Sequence, residues 1–101
     1  MFGRRKPQEL DRPPVASSNS EAVEVLRVWA APGAAQQLTL RTCWKDPAAW
    51  GLLLVDVARH AALAYRREGR NPDEVHRRIR EGFDAEWSSA TSAAEDLTDD
   101  S

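Results

Sequence analysis

DPAAWGLLLVDVARHAALAY, residues 46–65, is the stretch whose reading decides the fold. Asp46 is a good N-cap, and Pro47 suits the first helical position, where its missing N–H would be unbonded anyway. The apolar period then becomes helical and holds to about Glu68, with Gly69 as the stop. At about 100° per residue, Trp50, Leu53, Leu54, Val57, Ala61, Ala64 and Tyr65 make one apolar face. Gly51, Val55, Ala58 and Ala62 extend that face sideways with mostly small residues. The combined arc is roughly 200°, where a surface helix needs little more than about 100°. Asp56, Arg59, His60, Arg66 and Arg67 fill the rest, interrupted by Leu52 and Leu63. Such a helix calls for two covering surfaces: a sheet on one side and, on the small-residue side, a second helix that approaches closely.

The flanking sequence supplies both. AVEVLRVWA (22–30) is β-branched and aromatic, without glycine or proline, which is a strand signal. QQLTLRTCW (36–44) alternates, with Leu38, Leu40, Thr42 and Trp44 on one pleat. Between them Pro32-Gly33 fits the centre of a type II turn, so the two strands form an antiparallel hairpin. Downstream, Asn71-Pro72-Asp73-Glu74 repeats the start signal: Asn71 caps, Pro72 leads, and Glu74 completes a capping box. Val75, Ile79, Phe83 and Trp87 then recur every fourth residue on a second amphipathic helix that fades near SSATS. The order is ββαα, an α+β fold. Residues 1–20, with three prolines and three serines, read as a disordered arm; 21–90 as one domain; 91–101 as a flexible acidic tail.

A folded part of this size buries a small fraction of its surface and usually needs a staple. Cys43 is the only cysteine, so no internal disulfide forms, and with His60 and His76 alone beside it a closed zinc site is not expected. No cofactor is implied by any motif. Self-association is the remaining staple. Val23 and Val25 lie on the opposite pleat from Leu26 and Val28, so the first strand is apolar on both faces, and a lone hairpin is marginal in water. A homo-oligomer, with a dimer favoured, would complete or cover the sheet. No run approaches the roughly 20 apolar residues of a membrane span, and MFGRRKPQEL lacks the apolar core of a secretory signal. The expected setting is the cytoplasm, with no membrane partner.

The net charge of −2 is unevenly spread: +2 over residues 1–20, −1 over 21–58, +4 over 59–80 and −7 over 81–101. Arg66, Arg67, Arg70 and Arg77 at the turn between the helices are the candidate anion contacts. Glu68, Asp73, Glu74, Glu81 and Asp84 stand ready to pair with that cluster, which makes nucleic-acid binding a weak third reading. Asp56 and His60, four apart on one helical arc with Arg59 beside them, have the spacing of a carboxylate that orients an imidazole, and equally of a solvated ion pair. The four tryptophans stand at element ends, where they could gather into one cluster or wall a pocket.

VEVLRVWAAPG (23–33), LTLRTCWKDPAAWGLLLVDVARHAALAY (38–65) and FDAEW (83–87) resemble a family of short uncharacterised bacterial proteins, a domain of unknown function. The specific part is the pattern DPAAWG…D.ARH.A.AY, carried here by Asp46 to Gly51, Asp56, Ala58, Arg59, His60 and Tyr65. The resemblance covers roughly residues 22–87. It implies a fold and no established activity, and it brings Asp56, Arg59 and His60 forward as site candidates.

The expected function is therefore a self-associating binding or accessory module without catalytic activity. Its interaction surface is Val25, Trp50, Leu52, Asp56, Arg59, His60 and Leu63, open to a second copy or another protein. The alternative is a small-molecule-binding protein or enzyme using Asp56, Arg59 and His60 beside a tryptophan-lined pocket.

Overall fold

The computed structural model describes residues 6–89 together with Glu95 and Asp96. In chain order the elements are α1 (Val15–Ser18), β1 (Leu26–Trp29), β2 (Gln37–Leu40), α2 (Ala48–Arg66), α3 (Pro72–Ser88) and β3 (Glu95–Asp96). The hairpin and the two long helices follow each other as the patterning predicts.

β1 and β2 pair antiparallel, Leu26 opposite Leu40 and Val28 opposite Leu38. Leu38 and Leu40 are half-buried while Gln37 and Thr39 are exposed, the alternation a half-covered strand requires. The turn is closed by the Ala34 N–H donating to the Ala31 carbonyl at 3.2 Å, with Gly33 at φ 75°. That positive φ is what the third position of a type II turn demands. Both strands are shorter than the sequence suggests. The Cys43 N–H donates to the Arg41 carbonyl at 2.9 Å, a three-residue turn that takes the chain out of the ladder before Trp44. At the other end the Glu21 N–H donates to Asn19 Oδ1 at 2.9 Å, and the Ala22 N–H to the Asn19 carbonyl at 3.1 Å; this turn delays entry into β1. β3 adds two residues parallel to Gln37 and Leu38. These lie in the acidic tail; the other residues of 91–101, like residues 1–5 of the arm, fall outside the described residues.

α2 starts where Asp46 Oδ1 accepts from the Ala48 N–H at 3.0 Å. It ends in a Schellman motif: the Arg70 N–H donates to the Tyr65 carbonyl (3.2 Å), the Gly69 N–H to that of Arg66 (3.0 Å), and Gly69 sits at φ 85°. The Arg70 guanidinium lies 5.1 Å over the Tyr65 ring, in the place usually taken by an apolar contact. Asn71 then caps α3, its Oδ1 accepting from the N–H groups of Asp73 (2.9 Å) and Glu74 (3.4 Å). The capping box is only half made, since the Glu74 carboxylate turns to Arg77, 3.8 Å away.

α3 packs on α2 along the small-residue side, as expected, and Ala62 and Val75 are buried there. The other expected layer is absent. Among the described residues the sheet does not come within 8 Å, Cα to Cα, of α2 or α3. The cause is local: beyond the turn at Arg41–Cys43, Trp44 folds edge-on against Trp50, ring centroids 5.4 Å apart, and α2 leaves in its own direction. The wide apolar arc of α2 is thus covered on one side only.

Candidate functional site

The polar arc of α2 keeps Asp56, Arg59 and His60 exposed, with Leu52 and Leu63 between them. His60 Nδ1 lies 2.8 Å from the backbone carbonyl of Asp56. A carbonyl only accepts, so Nδ1 carries the proton, and Nε2 is left facing outward. The spacing that brings the two residues together is real. Yet the acceptor is the backbone, not the carboxylate, and the expected Asp56–His60 ion pair does not form. A mid-helix imidazole reaches the carbonyl one turn back with little side-chain ordering; a carboxylate four residues earlier must bend towards it. Chemically, the arc offers a carboxylate, a guanidinium and an imidazole nitrogen, each open to a polar partner. Leu52, at 71% exposure, is the most exposed apolar side chain of the arc.

Of the remaining members of the expected interaction surface, Trp50 and Val25 are half-buried, and they sit on separate parts of the molecule. The tryptophans do not converge. Trp44 meets Trp50, Trp87 stacks on Phe83 at 5.6 Å on α3, and Trp29 stands apart on β1.

The arginines around the helix turn are largely committed. Arg70 lies over Tyr65, Arg77 faces Glu74, Arg78 reaches Glu81 at 2.7 Å, and Arg80 Nε is 3.0 Å from both oxygens of Asp84. Arg66 and Arg67 close α2, where positive charge complements the helix dipole. All of these pairs are solvent-exposed, and such pairs add little stability.

One site was not visible in the sequence. Residues 8–13 with Val15 and Ala16 face residues 22–24 and 26–30 across a cleft of about 660 Å³. Glu9 Oε2 holds the Arg27 guanidinium at 3.0 Å and ties the two walls together, while Glu24 grips the same guanidinium at 3.2 Å. The Glu24 hydrogen bond, then the charges of Glu24 and Glu9, raise the Arg27 pKa above its ordinary value. Eighteen positions separate Glu9 from Arg27, too far for any local pattern to announce the contact. Leu10, Val15, Leu26 and Val28 put apolar side chains on the two walls.

A family model described as a domain of unknown function (DUF5076) matches residues 9–91, a span that takes in the cleft, the hairpin and both long helices. A solved structure from the photosynthetic bacterium Rhodopseudomonas palustrus CGA009, described as "a putative pyruvate dehydrogenase", is 43% identical. The match covers 93% of this chain and 94% of that one, with a TM-score of 0.69. No curated protein matches the chain.

Proposed function

The chain belongs to the DUF5076 family, and from that premise we propose that it is a self-associating binding module, working as a homodimer in the cytoplasm. One observation carries this reading. Ala62 and Val75 are the buried apolar residues among those described, while Val28, Trp29, Leu52, Leu54, Val55, Val57 and Leu63 stay exposed. A core of two side chains contributes a few kcal/mol at most. Ordering the backbone costs about 1–2 kcal/mol per residue, so the fold needs cover that one chain does not supply. The lone cysteine closes no disulfide, and no cluster of metal-ligating side chains occurs among the described residues. A second copy supplies that cover without either. The free, exposed thiol of Cys43 suits a reducing compartment, and no helix among the described residues is long and apolar enough to cross a membrane. The polar arc, with Leu52, Leu63, Asp56, Arg59 and His60, is the surface for a further protein partner.

The description of the Rhodopseudomonas structure favours a catalytic reading in which Asp56, Arg59 and His60 act on a small molecule. It ranks second because no polar side chain is buried among the described residues, the imidazole is held by backbone, and the tryptophans wall no common pocket. Nucleic-acid binding ranks last, since Arg77, Arg78 and Arg80 already pair with carboxylates. Light scattering on the purified chain tests the first reading. The expected mass at tens of micromolar is twice 11.3 kDa; a single chain of 11.3 kDa that still unfolds cooperatively overturns it.

A further inference from the structure

β1 is an outer strand of the sheet, whose order is β1-β2-β3. The Arg41 N–H donates to the Val25 carbonyl at 2.9 Å, and the register sets Leu26 opposite Leu40 and Arg27 opposite Thr39. Bonded and non-bonded pairs alternate along an antiparallel ladder. Val25, Arg27 and Trp29 therefore turn their backbone groups to β2, while Leu26 and Val28 turn theirs to the open edge. No backbone bond reaches those outward groups among the described residues. The cleft runs along this edge and not over a sheet face. Leu26 and Val28 of one face line it together with Arg27 and Trp29 of the other, and no β2 residue does. Its far wall, residues 8–13 with Val15 and Ala16, stands over the edge without a backbone bond to it. The ionic tie between the walls is Glu9 on Arg27, an exposed pair and so a weak one.

We propose that the segment 8–16 is a releasable guard on the open edge of β1, and that breaking the Glu9–Arg27 tie lets this edge pair with β1 of a second copy. This goes beyond the homodimer reading: the intact assembly keeps the edge covered, and release doubles whatever mass the intact chain has. A bare strand edge is a template for another strand, and natural sheets cover such edges with a loop, which is the place this segment holds. The edge calls for a strand because its free N–H and C=O groups recur at every second residue. A second copy fits because each copy brings the same edge. The opposite outer strand, β3, is two residues long, so the pairing closes about a two-fold axis instead of propagating. Of the two-fold registers centred on Leu26, Arg27 or Val28, the last avoids a conflict. Centring on Arg27 sets two guanidinium groups face to face, and centring on Leu26 sets Val28 against Glu24. Centring on Val28 joins Val28 to its own copy and sets Arg27 against the partner's Trp29, a cation beside an indole. The guanidinium then serves either Glu9 or the indole, so guard and second copy compete for one side chain.

Glu9→Arg in the full chain sets like charges across the cleft and tests the guard. Light scattering is expected to give about twice the mass of the intact chain at the same concentration, with helix content unchanged by circular dichroism. Adding Val28→Pro to Glu9→Arg is expected to restore the intact mass, because proline removes an edge N–H that β2 does not use. Amide hydrogen exchange reads the same edge without a second substitution. The Leu26 and Val28 amides are expected to exchange about tenfold more slowly in Glu9→Arg than in the intact chain, and to recover on dilution. A Glu9→Arg chain that keeps the intact mass overturns the guard. So does a doubled mass with those two amides still exchanging fast, or one that survives Val28→Pro in a folded chain. Growth beyond the doubled mass overturns the closed two-fold pairing. Each of these leaves a dimeric intact chain standing, whereas an intact chain of one copy removes the homodimer reading and leaves the doubling to be read against 11.3 kDa.

Discussion

Gly69 and Gly82 offer a matched pair of substitutions whose effects should differ in sign. An added Cβ meets nothing within 4 Å at either position, so packing is excluded from both outcomes. Gly69 sits at φ 85° in the Schellman stop of α2, where a left-handed L-residue costs about 1–2 kcal/mol. Gly82 lies inside α3 on its exposed side, where alanine is favoured over glycine by roughly 0.8–1 kcal/mol. Gly69→Ala should therefore destabilise and Gly82→Ala stabilise. The two variants should stand about 2–3 kcal/mol apart, on the order of 10 °C in Tm for a domain this small. Urea unfolding followed at 222 nm measures both. All samples must be at one protein concentration, because the proposed association would make the midpoint concentration-dependent. If Gly69→Ala matched or exceeded the wild type with unchanged helix content, the left-handed turn would not be what ends α2, and the account of the helix hairpin would be refuted.

Removing the α3 cap by Asn71→Ala should cost about 0.5–2 kcal/mol in the same assay, because two N–H groups lose their acceptor. His60→Ala should leave the native mass unchanged and stability within roughly 0.5 kcal/mol, since the exposed ring bonds only its own helix; loss of assembly on this change would contradict that placement. Trp44→Ala should lower stability by about 0.5–1.5 kcal/mol through the lost edge contact, and acrylamide quenching should show Trp50 newly accessible. Glu9→Gln, or raising salt from about 0.1 to 1 M, which shortens screening from about 10 to 3 Å, should speed amide hydrogen exchange across residues 8–16; equal exchange in all samples would mean that the Arg27 contact does not hold the cleft wall.

What the sequence disclosed was whatever is fixed within a few residues. Asp46 and Asn71 cap the helices they precede, Gly69 ends α2, and Gly33 closes the hairpin, because each answers to its neighbours' backbone alone. The pairing of α3 with the small-residue side of α2 was legible too, since Ala58 and Ala62 leave room for it. The position of the sheet was not. A turn of three residues at Arg41–Cys43 and one aromatic contact decide where the hairpin goes, and neither alters the apolar period. The cleft stayed hidden for a related reason: residues 6–14 carry no periodic pattern, and their anchor is a single charge pair far apart in sequence. At the candidate site, spacing correctly put His60 beside Asp56. It could not say which oxygen the imidazole would choose, for backbone and carboxylate are equally near along the chain.

The separation of the hairpin from the helix pair bears on how the molecule matures. α2 and α3 meet through contacts close in sequence, joined by a short turn, so they can zip together on microsecond-to-millisecond timescales without help. In the proposed homodimer the sheet finds its complement only by encounter, and that step is second order. Refolding should show a fast phase independent of dilution and a slower one whose rate climbs with protein concentration. A freshly synthesised copy would spend its first moments with its hairpin unsheltered, and its survival against proteases would depend on how many siblings the cell is making.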